Sequence, residues 1–259
     1  MRSRKALSLL ELLIVSAIFI SILAFITRGL ISSSTVVDKI INEAQLIEDT
    51  RSAGQIISDS INRAVYIYPP NKKISLNSSG SWTVENPNGN KNIWLTGNDP
   101  IIAFIEASEQ TGICSKSNKK ACLYFVAYYP IKRTTIVKKA SYGQALKDDN
   151  NNNAWVLFEY RKRLAINQLS EAQQPPLNIK ASSGKLLADF IAPDIGFKIT
   201  NISCKNPDGT STCKSNSEPD FRETISSGEF VLLAQYNKKL GFNKSPKMVF
   251  NISARNLNY

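Results

Sequence analysis

The sequence predicts an α+β protein in which a long N-terminal helix packs on an antiparallel β-sheet domain. The first observation behind this prediction is an almost wholly apolar run from Leu7 to Thr27. The second is a stripe of apolar residues at intervals of three and four, which extends the helix to about Tyr66. The third is a change, after Pro69 and Pro70, to short runs of alternating polarity separated by turn-forming residues, a pattern typical of strands.

The apolar run has the length of a membrane-spanning helix. At ~1.5 Å per residue, the stretch from Leu7 to Thr27 reaches ~30 Å, the hydrocarbon thickness of a bilayer. A short basic segment precedes it, with Arg2, Arg4 and Lys5 and no acidic residue. The positive-inside rule therefore predicts a single-pass protein whose N-terminus is cytoplasmic and whose remainder lies across the membrane. The expected divisions are a basic segment (1–6), a transmembrane helix (7–27), its amphipathic continuation (28–66) and a β-rich globular domain (67–259).

The amphipathic continuation is expected to pack one face on that domain. Its apolar stripe consists of Val36, Ile40, Ala44, Ile47, Gly54, Ile57, Ile61 and Ala64. Polar and charged residues fill the other face. The two prolines end the helix, because proline lacks an N–H donor and restricts the residue before it.

The β-rich domain is expected to be antiparallel, since no parallel crossovers are evident. The predicted strands are Trp82–Val84, Asn92–Leu95, Ile101–Ala107, Cys122–Tyr129, Thr134–Lys138, Trp155–Tyr160, Phe197–Ile202, Phe230–Tyr236 and Met248–Ala254.

The composition argues against an enzyme. The chain has no histidine, which removes Ser-His-Asp and Cys-His nucleophile systems and histidine metal sites. Paired acids, a phosphate-binding glycine loop and a nucleophile elbow are not evident in the sequence either. We therefore expect no catalytic residues and no cofactor.

The four cysteines form two local pairs, Cys114 with Cys122 and Cys204 with Cys213. Both pairs lie beyond the membrane segment, where the topology places an oxidising compartment, so two local disulfides are expected. A zinc site made from all four is the alternative, but neither pair has the C-x-x-C spacing of structural zinc sites.

A calcium loop is a weaker candidate. Asp148, Asn150, Asn152 and Glu159 occupy positions 1, 3, 5 and 12 of the spacing that supplies oxygen ligands to Ca²⁺. The motif is incomplete, because Asn153 stands where glycine is expected and Glu159 lies in a predicted strand. A solvated asparagine-rich loop is the preferred interpretation.

The net charge of +11 raises the question of nucleic acid. Three basic runs, 116–120, 138–139 and 161–163, could contact phosphates, and nearby tyrosines could stack on bases. The tyrosines considered for stacking are Tyr128, Tyr129, Tyr142 and Tyr160. Solvated loops and strand faces explain the same runs without a motif, and that reading is preferred.

Glu11 is the only charged residue in the apolar run, and the residues around it form a recognisable pattern. Lys5-Ala6 followed by LSLLELLIV from Leu7 resembles the class III signal of type IV pilins and type II secretion pseudopilins. The resemblance implies that residues 1–6 are a prepilin leader, that a prepilin peptidase cuts between Ala6 and Leu7, and that Leu7 becomes N-methylated. Glu11 is then the fifth mature residue, which in this family is thought to meet the N-terminal amine of a neighbouring subunit. Ala6 departs from the usual glycine, and Leu7 departs from the usual aromatic residue.

The helix from Ile47 to Ala64 carries a second resemblance. Its pattern of an acid, an arginine, Ala-Gly, a hydrophobic pair and a later Arg-Ala is similar to the larger minor pilins and pseudopilins, the PilW-like and J-type (PulJ-like) group. The closing segment from Phe250 to Asn256 is similar to the final strand of that group. The residues between carry no resemblance.

The resemblance implies a structural subunit that primes or joins a type IV pilus or a type II secretion pseudopilus. Its implied partners are other pilins or pseudopilins, the prepilin peptidase, the inner-membrane assembly platform and the membrane, and its final place is a periplasmic or surface filament. Two alternatives stay open. One is a specialised binding subunit of the same machine, for DNA uptake, adhesion or polymer secretion. The other is a signal-anchored periplasmic enzyme.

Overall fold

A computed structural model describes residues 9–76, 82–89, 92–107, 123–139, 153–164, 177–178, 184–206, 209–213, 224–234 and 247–253. The chain divides into an N-terminal unit, Met1–Leu46, and a C-terminal unit, Ile47–Tyr259. One α-helix, α1, runs through the boundary from Leu9 to Asn62. Strands dominate the C-terminal unit after α1, so the α+β prediction is confirmed.

The elements after α1 are mostly strands, joined by two short helical segments. The strands are β1 (Ala64–Ile67), β2 (Lys73–Ser75), β3 (Ile93–Leu95), β4 (Ile102–Ala107), β5 (Leu123–Lys132), β6 (Trp155–Leu164), β7 (Leu177–Asn178), β8 (Lys185–Ile191), β9 (Phe197–Lys205), β10 (Thr224–Leu232) and β11 (Met248–Ser253). A 3₁₀ turn covers Trp82–Val84, and a second helix, α2, covers Arg133–Lys139.

The strands form three sheets. The central sheet has the order β1-β4-β5-β6-β8, and a second sheet has the order β11-β10-β9, both with antiparallel neighbours throughout. The third sheet has the order β3-β2-β7, and β2 pairs with β7 in parallel. The expectation of purely antiparallel sheets was therefore wrong at this one pair, since the long stretch of chain between β2 and β7 supplies the crossover that a parallel pair needs.

The central sheet is apolar on both faces. On one face, Ile105, Phe125 and Tyr129 pack in a core with Trp94 of the third sheet. On the other face, residues of opposite parity such as Phe104 pack with α1 and the second sheet. Because successive side chains of a strand point to opposite faces, this double burial explains why β5 is buried along almost its whole length.

Helix α1 ends at Asn62, four residues before the predicted end at Tyr66. The next residues form β1, in which Ala64 is opposite Glu106 and Tyr66 is opposite Ile105 of β4. All four β1 side chains are buried. Helical periodicity could not detect this change, because Ala64 is buried in either conformation. β-Branched and aromatic residues favour the strand that completes the central sheet.

Two predicted strands were wrong. Trp82–Val84 is a 3₁₀ turn, and Thr134–Lys138 lies inside α2. The threonines and valine of α2 suggest a strand, but the chain must turn after β5 so that β6 can pair with it. The side chain of Arg133 anchors this turn, because it is buried and its Nε lies 3.2 Å from Asp189 Oδ2. Strands β1, β2, β7 and β8 were not predicted, and the other seven predicted strands are confirmed with shifted ends.

Gly54 lets the helix approach the second sheet closely. A Cβ atom at this position would lie 2.0 Å from the Phe250 ring. That ring stacks on Phe230 with centroids 4.9 Å apart and planes 11° apart. The ring is thus held between the helix and β10, and only glycine leaves room for it.

Three buried tyrosines give the C-terminal unit a specific response to alkali. Burial raises the pKa of Tyr128 to about 12, although a polar contact with Ser60 acts in the opposite direction. Burial also raises the pKa of Tyr68 and of Tyr129 well above the usual range. Each phenol therefore favours the folded state only while it is neutral.

We expect Gly54→Ala to lower the free energy of unfolding by about 1–3 kcal/mol, because overpacking outweighs the gain in helix propensity. Gly29→Ala is the matched control, since a Cβ there meets nothing within 4 Å. Denaturant unfolding of the detergent-solubilised chain, followed by near-UV circular dichroism, measures the difference. Equal stability of wild type and Gly54→Ala would contradict this expectation and show that the Phe250 ring moves aside to make room for the methyl group.

Stability should fall as the pH rises from about 10 towards 12. In this window the unfolded phenol, with its ordinary pKa of 10.0, ionises while folded Tyr128 stays neutral, so the unfolded state is favoured. For Tyr128 alone the loss reaches about 2 kcal/mol at the upper end of the window. Tyr128→Phe should make the free energy of unfolding fall less steeply with pH, because only Tyr68 and Tyr129 then contribute to the slope. Chemical unfolding at pH 8 to 12 tests this, and parallel profiles for the two proteins would contradict it.

Candidate functional site

The N-terminal unit exposes an apolar surface that a soluble protein would bury. Every side chain from Leu9 to Asp38 is exposed. An 18-residue window of the helix has a mean hydropathy of 2.8, and none of it is buried within the protein. Large side chains such as Leu9 and Phe25 are each 82% exposed. By length and composition this helix can cross a membrane, and its surface needs lipid or other apolar helices around it.

Glu11 lies in the first turn of α1. Its side chain is exposed and is surrounded along the chain by leucines. A carboxylate is favourable at a helix N-terminus, because the first backbone N–H groups present partial positive charge there. The predicted cleavage residues, Ala6 and Leu7, lie outside the described residues.

Between Leu9 and Thr27, the hydroxyl groups are satisfied by the helix itself. Ser16 Oγ donates to Leu13 O at 2.9 Å, Ser21 Oγ to Ala17 O at 2.8 Å, and Thr27 Oγ1 to Leu23 O at 2.7 Å. Such back-bonding removes the cost of a free hydroxyl in lipid. Glu11 carries the only charged group between Leu9 and Thr27.

In the C-terminal unit, a buried carboxylate joins the end of α1 to the central sheet. The side chain of Glu106 is only 3% exposed, and its Oε1 lies 2.6 Å from Arg63 Nε. Its Oε2 lies 2.8 Å from Arg161 Nη2. Arg161 also stacks over Tyr124, 5.0 Å from the ring centroid. Sequence reasoning missed this cluster, although an acid at a core-facing position of β4 is the pattern that could have revealed it.

The predicted basic surface is partly occupied by contacts within the protein. Arg161 is bound to Glu106, and the ammonium of Lys139 pairs with Glu85. The run 116–120 lies outside the described residues. Arg163 and Lys138 are exposed at the surface.

Three of the four tyrosines considered for stacking on bases are not available for that role. Tyr128, Tyr129 and Tyr160 are fully buried in the central sheet, and Tyr142 lies outside the described residues. These three side chains point into the two cores rather than towards solvent, which counts against the nucleic-acid alternative.

Only one of the four calcium candidates is among the residues that the structure describes. Glu159 lies within β6 opposite Lys185, and its Oε1 is 3.9 Å from Arg161 Nη1. Asp148, Asn150 and Asn152 lie outside the described residues. Within the part of the chain that the structure describes, no three acidic, cysteine or histidine side chains come close enough to hold a metal ion.

One of the two expected disulfides is confirmed. Cys204 and Cys213 are bonded, with Cα atoms 4.9 Å apart. The bond closes the segment after β9, where Cys204 N also donates to Ser211 O at 3.0 Å. A short closed loop of this kind contributes about 2–3 kcal/mol on the chain-entropy model. Cys114 and Cys122 lie outside the described residues.

Comparison with known proteins adds no relative to this description. No protein-family model, no curated protein and no solved structure matches the chain.

Proposed function

We propose that this protein is a minor pilin or pseudopilin, a structural subunit that primes or joins a type IV pilus or a type II secretion pseudopilus. The observation that supports it most is the N-terminal helix, whose apolar surface is exposed on every side and carries a single carboxylate at its first turn. In the proposal, cleavage between Ala6 and Leu7 removes the basic leader, and Leu7 is methylated at its new amine. The role is structural, with no catalytic step.

The helix suits two successive environments. In the precursor it lies in the inner membrane, where its length matches the hydrocarbon core. In the filament the same surface contacts the helices of neighbouring subunits. The exchange of lipid for apolar side chains is close to neutral in hydrophobic terms, so the helix can leave the bilayer without exposing apolar area to water.

Glu11 favours the filament over the membrane in this exchange of environments. An ionised carboxylate in hydrocarbon costs about 3 kcal/mol or more, and a cationic partner offsets that cost. We assign the partner as the N-terminal amine of a neighbouring subunit. The pair forms only when subunits associate, so it favours the filament over the isolated precursor.

The C-terminal unit stays in water in this proposal, because its sequence is rich in lysine and asparagine. The disulfide between Cys204 and Cys213 agrees with an oxidising compartment on that side of the membrane.

Co-expression with a prepilin peptidase should shorten the chain by its six leader residues. Intact-mass spectrometry of the purified protein measures the change and detects an added methyl group on Leu7. Ala6→Gly, which restores the family residue, should be cut at least as well, and a bulky Ala6→Trp should resist cutting. An intact N-terminus in both wild type and Ala6→Gly would refute the proposed processing.

Glu11→Ala should leave leader cleavage intact but reduce incorporation into filaments by more than about tenfold, the equivalent of ~1.4 kcal/mol or more. Glu11→Gln should behave like Glu11→Ala, because it keeps the size of the side chain and removes its charge. Immunoblotting of sheared filaments against the membrane fraction measures incorporation. Ser16→Ala is the matched control, since the hydroxyl it removes is bonded within the helix. Normal incorporation of both Glu11 variants would remove the proposed role of the acid.

A further inference from the structure

A cleft in the C-terminal unit has no part in the proposed function. It consists of two adjoining cavities of about 250 Å³ and 650 Å³, which share Asn88, Trp155 and Asp194 in their walls. The turn between β3 and β4, the start of β6 and the turn between β8 and β9 surround it. The combined size is that of a small-molecule binding site.

Among the residues that the structure describes, the polar lining has balanced charge. It presents two carboxylates and two ammonium groups, from Asp99, Asp194, Lys132 and Lys198. An anion site would need an excess of donors, and a metal site an excess of oxygen ligands. Equal numbers of each favour a ligand without net charge.

Amide groups supply much of the remaining polar lining. Asn88, Asn98 and Asn153 each offer donors and an acceptor, and all three side chains are exposed. Hydroxyl groups of a ligand also donate and accept, so amides pair with them in either sense. Trp155 and Ile101 add only a narrow apolar edge to the lining, because they are 5% and 1% exposed. This combination of groups fits a neutral, polyhydroxylated molecule.

Several polar groups of the cleft are already held in place. The carboxylate of Asp99 accepts hydrogen bonds from Asn86 Nδ2 at 2.9 Å, Asn88 Nδ2 at 2.9 Å and Leu95 N at 2.7 Å. In the turn that carries Asp194, Gly196 N donates to Ala192 O at 2.9 Å. Groups fixed before binding lose less conformational entropy when a ligand arrives.

The turn that carries Asp194 is also fixed from its other side. Ala192 N donates to Leu233 O at 2.8 Å, and Leu233 N donates to Gly196 O at 3.0 Å. Asp194 itself has a φ of 62°, a conformation that asparagine also adopts readily. An Asp194→Asn substitution therefore removes the charge and leaves the turn intact.

We infer that this cleft binds a neutral saccharide unit, a hexose or N-acetylhexosamine within an oligosaccharide. The inference does not depend on the proposed pilin role, and either can fail without the other. Trp155 is only 5% exposed, so the apolar contact is small and the affinity is set by hydrogen bonds.

The test uses the full chain in a detergent without a sugar headgroup, such as a polyoxyethylene ether. The probes are cellobiose and N,N′-diacetylchitobiose, with a sulfated heparin disaccharide as the charged comparison. Saturation-transfer NMR and titration should show binding of at least one neutral probe with a Kd of about 1 mM. Lys198→Met should weaken it by about tenfold, the loss of one good hydrogen bond. Asp194→Asn should weaken it by a smaller factor, because the amide keeps an acceptor oxygen but loses the charge.

Two exposed residues away from the cleft give matched controls, Asp59→Asn and Lys185→Met, which should bind like the wild type. The inference is overturned if neither neutral probe binds when its concentration is about ten times the expected Kd. It is also overturned if binding persists unchanged in both cleft variants, or if only the sulfated disaccharide binds.

Discussion

The central sheet is apolar on both faces, and the rest of the C-terminal unit follows from the need to cover them. Phe104 and Tyr128 on one face, and Phe125 and Tyr129 on the other, would each be costly in water. The helix and the second sheet cover the first face, and the small third sheet with Trp94 covers the second. A sheet buried in this way also has no face free to serve as an interaction platform, so the contacts available to partners lie at its ends and in its turns.

A carboxylate held by two arginines marks the edge of this apolar arrangement. Glu106 stands at the end of β4 on the face that α1 covers, where a longer apolar run would have continued the core. Its pairing with Arg63 is possible only if the helix ends just before that residue and the chain turns into β1. Buried ion pairs add little net stability, because desolvation offsets most of the attraction. Their effect is to destabilise alternative conformations that separate the paired groups. Here, a helix that continued past Asn62 would separate Arg63 from Glu106.

Much of this fold could be predicted from the sequence, because its signals are local. The apolar run, the stripe of α1 and the long strands β5 and β6 each show one periodicity over many residues. The secondary structure was predicted wrongly where a helix and a strand would bury the same residue, or where tertiary contacts determine which of the two forms. Ala64 is buried in a helix or a strand, and the β-branched residues of α2 form a helix because the β5–β6 pairing requires a turn there. The walls of the cleft come from positions as distant as Asn88 and Lys198, which no local pattern joins.

The internal bonding of Ser16, Ser21 and Thr27 has a consequence for any bundle made from this helix. With those hydroxyls turned onto their own backbone, the segment from Leu12 to Thr27 presents only hydrocarbon to a neighbour. Dispersion contacts between such surfaces favour each axial offset at which the side-chain ridges of one helix fit the grooves of the other, so they leave several offsets similar in energy. A single charge near one end selects among those offsets, and the rise per subunit of an assembly would then depend on the position of one carboxylate as well as on the shape of the packed side chains.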